Sequence, residues 1–271
     1  MADNLALTVT GSDGTVYAIT GTLTSSTVVK TSPVIVPPPP PPVTTGAPVI
    51  PSTSKTINML TPLKPWQMNH DAGTPGTVTA ITTTYPVTAP DGTPNCRQFA
   101  ATIAGKGGVI FHTNAVPSGA SAFTRFAYRK REMYLKAIPT NCETDLEITD
   151  KATGVPYDMA MQQDGYSGVE DITINHKWTG TNIKVNPTTR KTGVWYESVE
   201  YVGFDPVAKQ ITYFGVTLDD GVFYPINQVV TDADNAVWAK DEVNFQLQWD
   251  SGQTASTDYV ILCSALEVTP W

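Results

Sequence analysis

The sequence predicts an all-β protein: a two-sheet antiparallel sandwich carried behind a small β-hairpin and a proline-rich linker. Three observations predict it. Short strand-like runs such as "RQFAATIA", "REMYLKAI", "VWYESVEYVGF" and "DYVILCSALEV" recur from Ile57 to Trp271. Turn signals rich in Gly, Asp and Asn separate them, among them "PDGTPN", "GKGG", "DDG" and "DSGQ". No segment sustains a helical period, whereas several alternate apolar and polar residues as a half-buried strand does.

Residues 1–30 come first. "LALTVT" and "VYAITGTL" flank "GSDG", the pattern of a hairpin. A lone hairpin is marginal in water and has too little apolar surface to offset the entropy of ordering. The segment is therefore expected to be ordered only in an assembly, as an anchor. Residues 31–56 form the next unit. Pro37 to Pro42 are six consecutive prolines, which fix φ and favour a semi-rigid polyproline II spacer. The remainder, 57–271, reads as one sandwich domain. Its "WQMNH" strand is expected beside the C-terminal "LEVTPW" strand, in the same sheet.

Within that domain two strands have polar faces. In "DEVNFQLQWD", Val243, Phe245, Leu247 and Trp249 share one side, and Asn244, Gln246 and Gln248 share the other. In "NCETDLEITD", Cys142, Thr144, Leu146 and Ile148 alternate with Glu143, Asp145 and Glu147. Amides and acids are weak strand formers, so their choice over Thr and Lys points to a site. Planar amides and carboxylates hold sugar hydroxyls, and aromatic faces hold the C–H side of the ring.

Composition excludes other classes. The 271 residues are 41% hydrophobic and 15% charged, with a formal net charge of −8. The longest basic cluster is "YRKRE", too little for a nucleic-acid footprint. No apolar run approaches ~20 residues, so no membrane insertion is expected. The start shows no basic n-region or apolar h-region, and synthesis in a host cytoplasm without a signal peptide is expected. Cys96, Cys142 and Cys263 have no zinc spacing and read as buried hydrophobes, with a Cys96–Cys142 bridge left open.

Glu143, Asp145 and Glu147 form an E-x-D-x-E pattern. It resembles the catalytic strand of the laminarinase and lichenase β-glucanases, which have the concanavalin A-like jelly-roll fold. The wider chain, from "WQMNHDAGTPGT" through "QQDGYSG" and "VNFQLQWD" to "LEVTPW", resembles concanavalin A-like lectin/glucanase domains over roughly residues 58–271. The resemblance implies a jelly roll. In a retaining glycosidase of this kind Glu143 would be the nucleophile, Glu147 the acid and Asp145 a tuning group. Carboxylates reaching across a sugar would converge to ~5 to 5.5 Å. The chain departs from the enzymes in two places: "IPTN" stands where a Trp usually precedes the motif, and Ile148 and Thr149 follow Glu147. A general acid needs desolvation by apolar neighbours, and these flanks offer little. Saccharide binding without useful hydrolysis is therefore expected.

Gln162, Trp178, Trp195, Tyr196, Gln246 and Gln248 are the expected carbohydrate contacts, with Glu143, Asp145 and Glu147 as catalytic candidates. His176 and Trp178, with Trp195 and Tyr196, could form a stacking platform. No metal site is predicted, although "DKATG" and "DADN" could hold Ca²⁺ through clustered oxygens. The order of anchor, rod and sandwich predicts a structural protein of a bacteriophage virion surface: a capsid decoration, head fibre or tail appendage. Its partners would be other virion proteins through residues 1–30, host or environmental glycans through the sandwich, and further copies in a homo-oligomer. The alternatives are a retaining glycan hydrolase using Glu143 and Glu147, and an extracellular bacterial carbohydrate-binding module.

Overall fold

The computed structural model describes residues 3–10, 16–23, 46–62, 65–71, 74–115, 123–149, 156–164, 169–174, 177–184, 190–231 and 243–271. The chain divides into two compact units, Met1–Pro42 and Val43–Trp271. In the first, β1 (Asp3–Thr10) and β2 (Val16–Leu23) pair antiparallel, from Asp3 opposite Leu23 to Thr10 opposite Val16. This is the hairpin that alternation around "GSDG" predicts. The proline run lies outside the described residues.

The second unit is all strand among its described elements. In chain order they are β3 (Ile57–Asn58), β4 (Gln67–His70), β5 (Thr77–Val87), β6 (Cys96–Ala104), β7 (Gly107–Ala115), β8 (Arg125–Tyr134), β9 (Asn141–Thr149) and β10 (Pro156–Asp164). They continue with β11 (Val169–Ile174), β12 (Lys177–Lys184), β13 (Trp195–Asp205), β14 (Gln210–Leu218), β15 (Phe223–Val230), β16 (Val243–Ser251) and β17 (Thr257–Pro270). One sheet has the order β12-β11-β10-β9-β16-β7-β4, and the other β15-β14-β13-β8-β17-β6-β5. Every pairing is antiparallel, and strands distant in sequence are neighbours, as in a jelly-roll sandwich.

Local chemistry explains the corners. In "PDGTPN" the Asp91 carboxylate accepts from the Thr93 amide at 3.0 Å, and in "DDG" Asp220 accepts from the Val222 amide at 2.9 Å. Asp205 does the same for Val207 and Ala208 in the turn after β13.

The sandwich is closed by the inward half of each alternating strand. Phe99, Phe111, Phe245, Trp249 and Trp66 make an edge-on aromatic cluster, with Phe99 centred 4.9 Å from Trp66 and 5.0 Å from Phe111. The Trp66 indole donates to the Met59 carbonyl at 3.3 Å. The core is not wholly apolar. Inward-facing Lys130 and Glu132 of β8 are 3% and 2% exposed, and Glu200 of β13 is 1% exposed. Lys130 donates to Thr144 of the opposite sheet at 3.1 Å, and Arg190 donates to both Glu132 and the Tyr134 hydroxyl. Burial opposes charge on Lys130, but Glu132 and Glu200 outweigh it and keep the ammonium charged. Lys130 thus bolts the two sheets with a hydrogen bond alongside the apolar contact, and Glu132 and Arg190 complete the ionic cluster around it.

One expected contact is different. "WQMNH" does not lie beside "LEVTPW": β4 ends the seven-stranded sheet against β7, whereas β17 is in the eight-stranded one. It is β3 that meets the C-terminal strand, with Ile57 opposite Val268 and Asn58 opposite Glu267. Buried Met59, Leu60 and Trp66 carry the chain between the sheets.

Candidate functional site: an acidic, amide-rich sheet face

The face of the seven-stranded sheet turned away from the core collects the polar half of each alternating strand. Across β9 and β16, Glu143 stands opposite Gln248, Asp145 opposite Gln246 and Glu147 opposite Asn244. On the other side of β9, Glu143 stands opposite Gln162 and Glu147 opposite Asp158 of β10. Beyond β16, Gln246 is level with His112 of β7, which is level with Gln67 of β4. Asp250 follows on β16, and Asp71 lies just past β4.

Close approach of the last two depends on one glycine. A Cβ on Gly108 would stand 2.5 Å from Asp250 Oδ1 and 3.1 Å from Asp71 Cβ, so this position carries none. The amides then reach the acids. Gln246 Nε2 donates to Asp145 Oδ2 at 2.5 Å, Asn244 Nδ2 to Glu147 Oε2 at 2.7 Å, and Gln248 Nε2 to Asp250 Oδ1 at 3.3 Å. Asn69 Nδ2 and His112 Nε2 are 2.9 Å apart.

The acids are more enclosed than an open strand face would leave them. Glu143 is 9% and Asp145 3% exposed, and Gln162 and Asn244 are 5% and 4% exposed. Burial pushes Glu143 up to about 8, with the charges of Asp250, Asp158 and Asp71 adding to it. Asp145 is pushed well above the carboxylate range by burial and then by Glu143 itself. Asp250 rises to about 6, mainly through burial. This corrects the expectation drawn from the flanking sequence: packing across strands, not the motif's chain neighbours, supplies the desolvation. The group that burial raises is Glu143, which the resemblance casts as the nucleophile.

Two amide oxygens on this face have no hydrogen-bond partner, Gln162 Oε1 and Asn244 Oδ1, whereas Asp145 shares a hydrogen bond with Glu143. The face over β9, β16 and β7 thus combines carboxyls with amides that donate to them.

Gln162, Gln246 and Gln248 are thus brought to the three acids. Trp195 and Tyr196 are not. Both are on β13 of the other sheet; Tyr196 points into the core, while Trp195 packs on the outer side under Arg131, 4.4 Å from its guanidinium carbon. Adjacent strand residues face opposite ways, so these two form no common platform. Trp178 falls on β12, where only the strand is described, and His176 lies outside the described residues. So do the "DKATG" loop from Asp150 to Gly154 and "DADN". Among the described residues, no group of three or more His, Cys, Asp and Glu is placed to hold a metal ion, and no helix is long and apolar enough to cross a membrane. Asp71, Asp158 and Asp250 were missed by sequence reasoning. Asp158 and Asp250 carried a signal, since each shares the strand parity of a neighbouring Gln.

Neither a protein-family model nor a curated protein matches this chain. Solved structures do. A carbohydrate esterase from the Shiga toxin-encoding bacteriophage phi24B aligns with a TM-score of 0.41 and 13% identity, covering 72% of this chain and 89% of that one. Arcelin-5, a lectin-like defence protein from Phaseolus vulgaris, aligns with a TM-score of 0.41 and 8% identity, covering 81% and 99%. Alginate lyase vAL-1 from a Chlorella virus aligns with a TM-score of 0.42 and 13% identity, covering 76% and 93%. No functional reading is drawn from these alignments; it rests on the acidic face.

Proposed function

We propose that the sandwich binds carbohydrate on the outer face of the seven-stranded sheet, and that the chain displays it on a virion surface. The observation that carries the binding is the pair of partnerless amide oxygens, Gln162 Oε1 and Asn244 Oδ1. A buried acceptor left unpaired costs about 1–3 kcal/mol. A polyhydroxylated ligand brings several donors on one rigid ring and satisfies both. The glutamines at the half-buried rim, Gln246 and Gln248, offer both donor and acceptor to the same hydroxyls. Display is supported by sequence order: a β-hairpin, a run of six prolines and then the sandwich.

The binding test is calorimetry of the full chain against neutral oligosaccharides. Gln162→Ala should weaken the bound glycan at least about tenfold while circular dichroism stays unchanged. Glu143→Gln, which imitates a protonated glutamic acid, should stay within about threefold. Absence of any glycan binding, or indifference to Gln162→Ala, would refute it. Display is tested by cross-linking residues 1–30 in purified particles; no link to a particle protein would refute that half.

A second reading, retaining hydrolysis, is favoured by one observation. Glu143, raised to about 8, holds its proton at neutral pH as a general acid must. Release of reducing sugar that Glu143→Gln abolishes would establish it over simple binding.

A further inference from the structure

We propose that the buried ionic network of β8 positions Glu143 from inside the sandwich, making Lys130 and Tyr134 positioning residues for a face they do not touch. This rests on the carbohydrate-binding reading and deepens it. Lys130, Glu132 and Tyr134 alternate along β8, and all three are over nine-tenths buried. They form one chain of polar contacts. Lys130 Nζ lies 3.8 Å from Glu132 Oε1, the Tyr134 hydroxyl donates to Glu132 Oε1 at 2.6 Å, and Arg190 donates to both Glu132 and that hydroxyl. Two bonds cross from this chain to the other sheet. Lys130 Nζ donates to Thr144 Oγ1 at 3.1 Å, and the Tyr134 hydroxyl meets Cys142 Sγ at 3.2 Å. Cys142 and Thr144 are the two chain neighbours of Glu143. The network therefore grips β9 on both sides of the residue that faces the other way.

The grip acts in a direction that the sheet itself leaves soft. Ladder bonds from β10 and β16 run within the sheet and fix β9 sideways and in register. They do not fix the height or tilt of the pleat, which decides how far an outward side chain rises from the face. Apolar packing from below is non-directional, whereas hydrogen bonds require set distances and angles. Leu146 and Ile148, further along β9, rest on the apolar core. Glu143 is where accuracy matters. It shares a hydrogen bond with Asp145, and its register partners are Gln248 and Gln162, the latter with its free amide oxygen. Apolar side chains of similar volume often hold a core as firmly as buried ions do. What they do not supply is a directional tie on each side of one site residue.

The experiment is calorimetry of the full chain against glucose and N-acetylglucosamine oligomers, with urea unfolding of each variant alongside. Thr144→Val and Tyr134→Phe each remove one hydroxyl and keep nearly the same shape. Each should weaken binding at least about tenfold. Thr144→Ser puts a hydroxyl back and should return affinity to within about threefold of wild type. Ile211→Ala opens the same core on β14, in the other sheet from β9. It should lower the urea midpoint at least as far as Thr144→Val and yet leave affinity within about threefold. Wild-type affinity in Thr144→Val or Tyr134→Phe overturns the inference while leaving carbohydrate binding standing. So does a loss that Thr144→Ser fails to recover, or an equal loss in Ile211→Ala. A wild-type chain that binds none of these oligomers overturns both.

Discussion

Gln246 and Asp145 face each other across the β9–β16 ladder, and the amide of one donates to the carboxyl of the other at 2.5 Å. This bond ties together two strands whose residues are about a hundred positions apart in the chain. Replacing Gln246 with Leu would take the amide donor from a 3%-exposed carboxyl and leave it with Glu143. We expect a loss of about 1–3 kcal/mol in urea unfolding. An equal or greater midpoint for Gln246→Leu would show that the bond contributes nothing.

Stability should fall as pH rises from about 5 to about 8.5. A carboxyl raised on folding keeps a proton that the unfolded chain has already lost, so its contribution is complete below the ordinary carboxyl range and lost as pH climbs through the folded value. Glu143 is raised from 4.5 to about 8, Glu200 to about 7 and Asp250 to about 6, with Asp145 raised as well. Each titrating group contributes a slope of about 1.4 kcal/mol per pH unit within its window. His112, lowered by burial from 6.5, acts the other way, because the unfolded chain takes up its proton first as pH falls. Asp219, raised mainly by burial, adds to these, so one imidazole opposes five carboxyls. Asp91, Asp220 and Asp258 are lowered from 3.8 and act only in more acidic solution. Thermal midpoints should drop across the window, and Glu143→Gln should flatten the profile by stabilising the alkaline end. A rise in midpoint over the same range would contradict this account.

Glu132→Gln should cost about 3–5 kcal/mol, because it strands Lys130 and Arg190 inside the sandwich. Arg129→Ala is the control. Arg129 meets Glu197 at 2.8 Å and Glu267 at 3.1 Å on the outer side of the same strand, but its side chain is 40% exposed. Its loss should cost under about 1 kcal/mol. Similar denaturation midpoints for the two variants would mean that the inner ions are not the bolt described above.

The three cysteines should resist labelling. Cys96, Cys142 and Cys263 are all free and buried, which closes the question of a Cys96–Cys142 bridge. Burial pushes Cys142 up to about 11, and raises Cys96 and Cys263 too. Ellman's reagent should find three thiols only after denaturation in guanidinium. Rapid titration of any of them in the native protein would count against these positions.

Much of the sandwich is legible in the sequence, because alternation reports which residues share a face. Glu143, Asp145 and Glu147 on one side, and Gln246 and Gln248 on another strand with the same polarity, follow from parity alone. Which strand lies beside which does not. The four residues of β4 have no internal pattern that names their partner, so the crossing between sheets after Met59 was not visible. The same gap hid the burial of the acids, which depends on β10 and β16 flanking β9. Lys130 and Glu132 were hidden for another reason. In "YRKRE" every residue is charged or amphipathic, and the alternation that puts two charges inward is masked by the two arginines facing out. Trp195 and Tyr196 are a different case: parity already separates them.

The chain enters the sandwich at β3 and ends at Trp271 after β17, and these two strands run antiparallel with Ile57 against Val268. The Thr56 and Thr269 hydroxyls meet at 2.8 Å on the outer side of that pair. A mechanical load applied between the segment preceding Thr56 and the C-terminus would pull at adjacent ends of one short ladder. Its bonds would then open in succession, like a zipper, instead of sharing the force in shear. Under tension β3 should peel first and at low force, lengthening the tether while the sheet face that carries Asp145 and Gln246 stays folded.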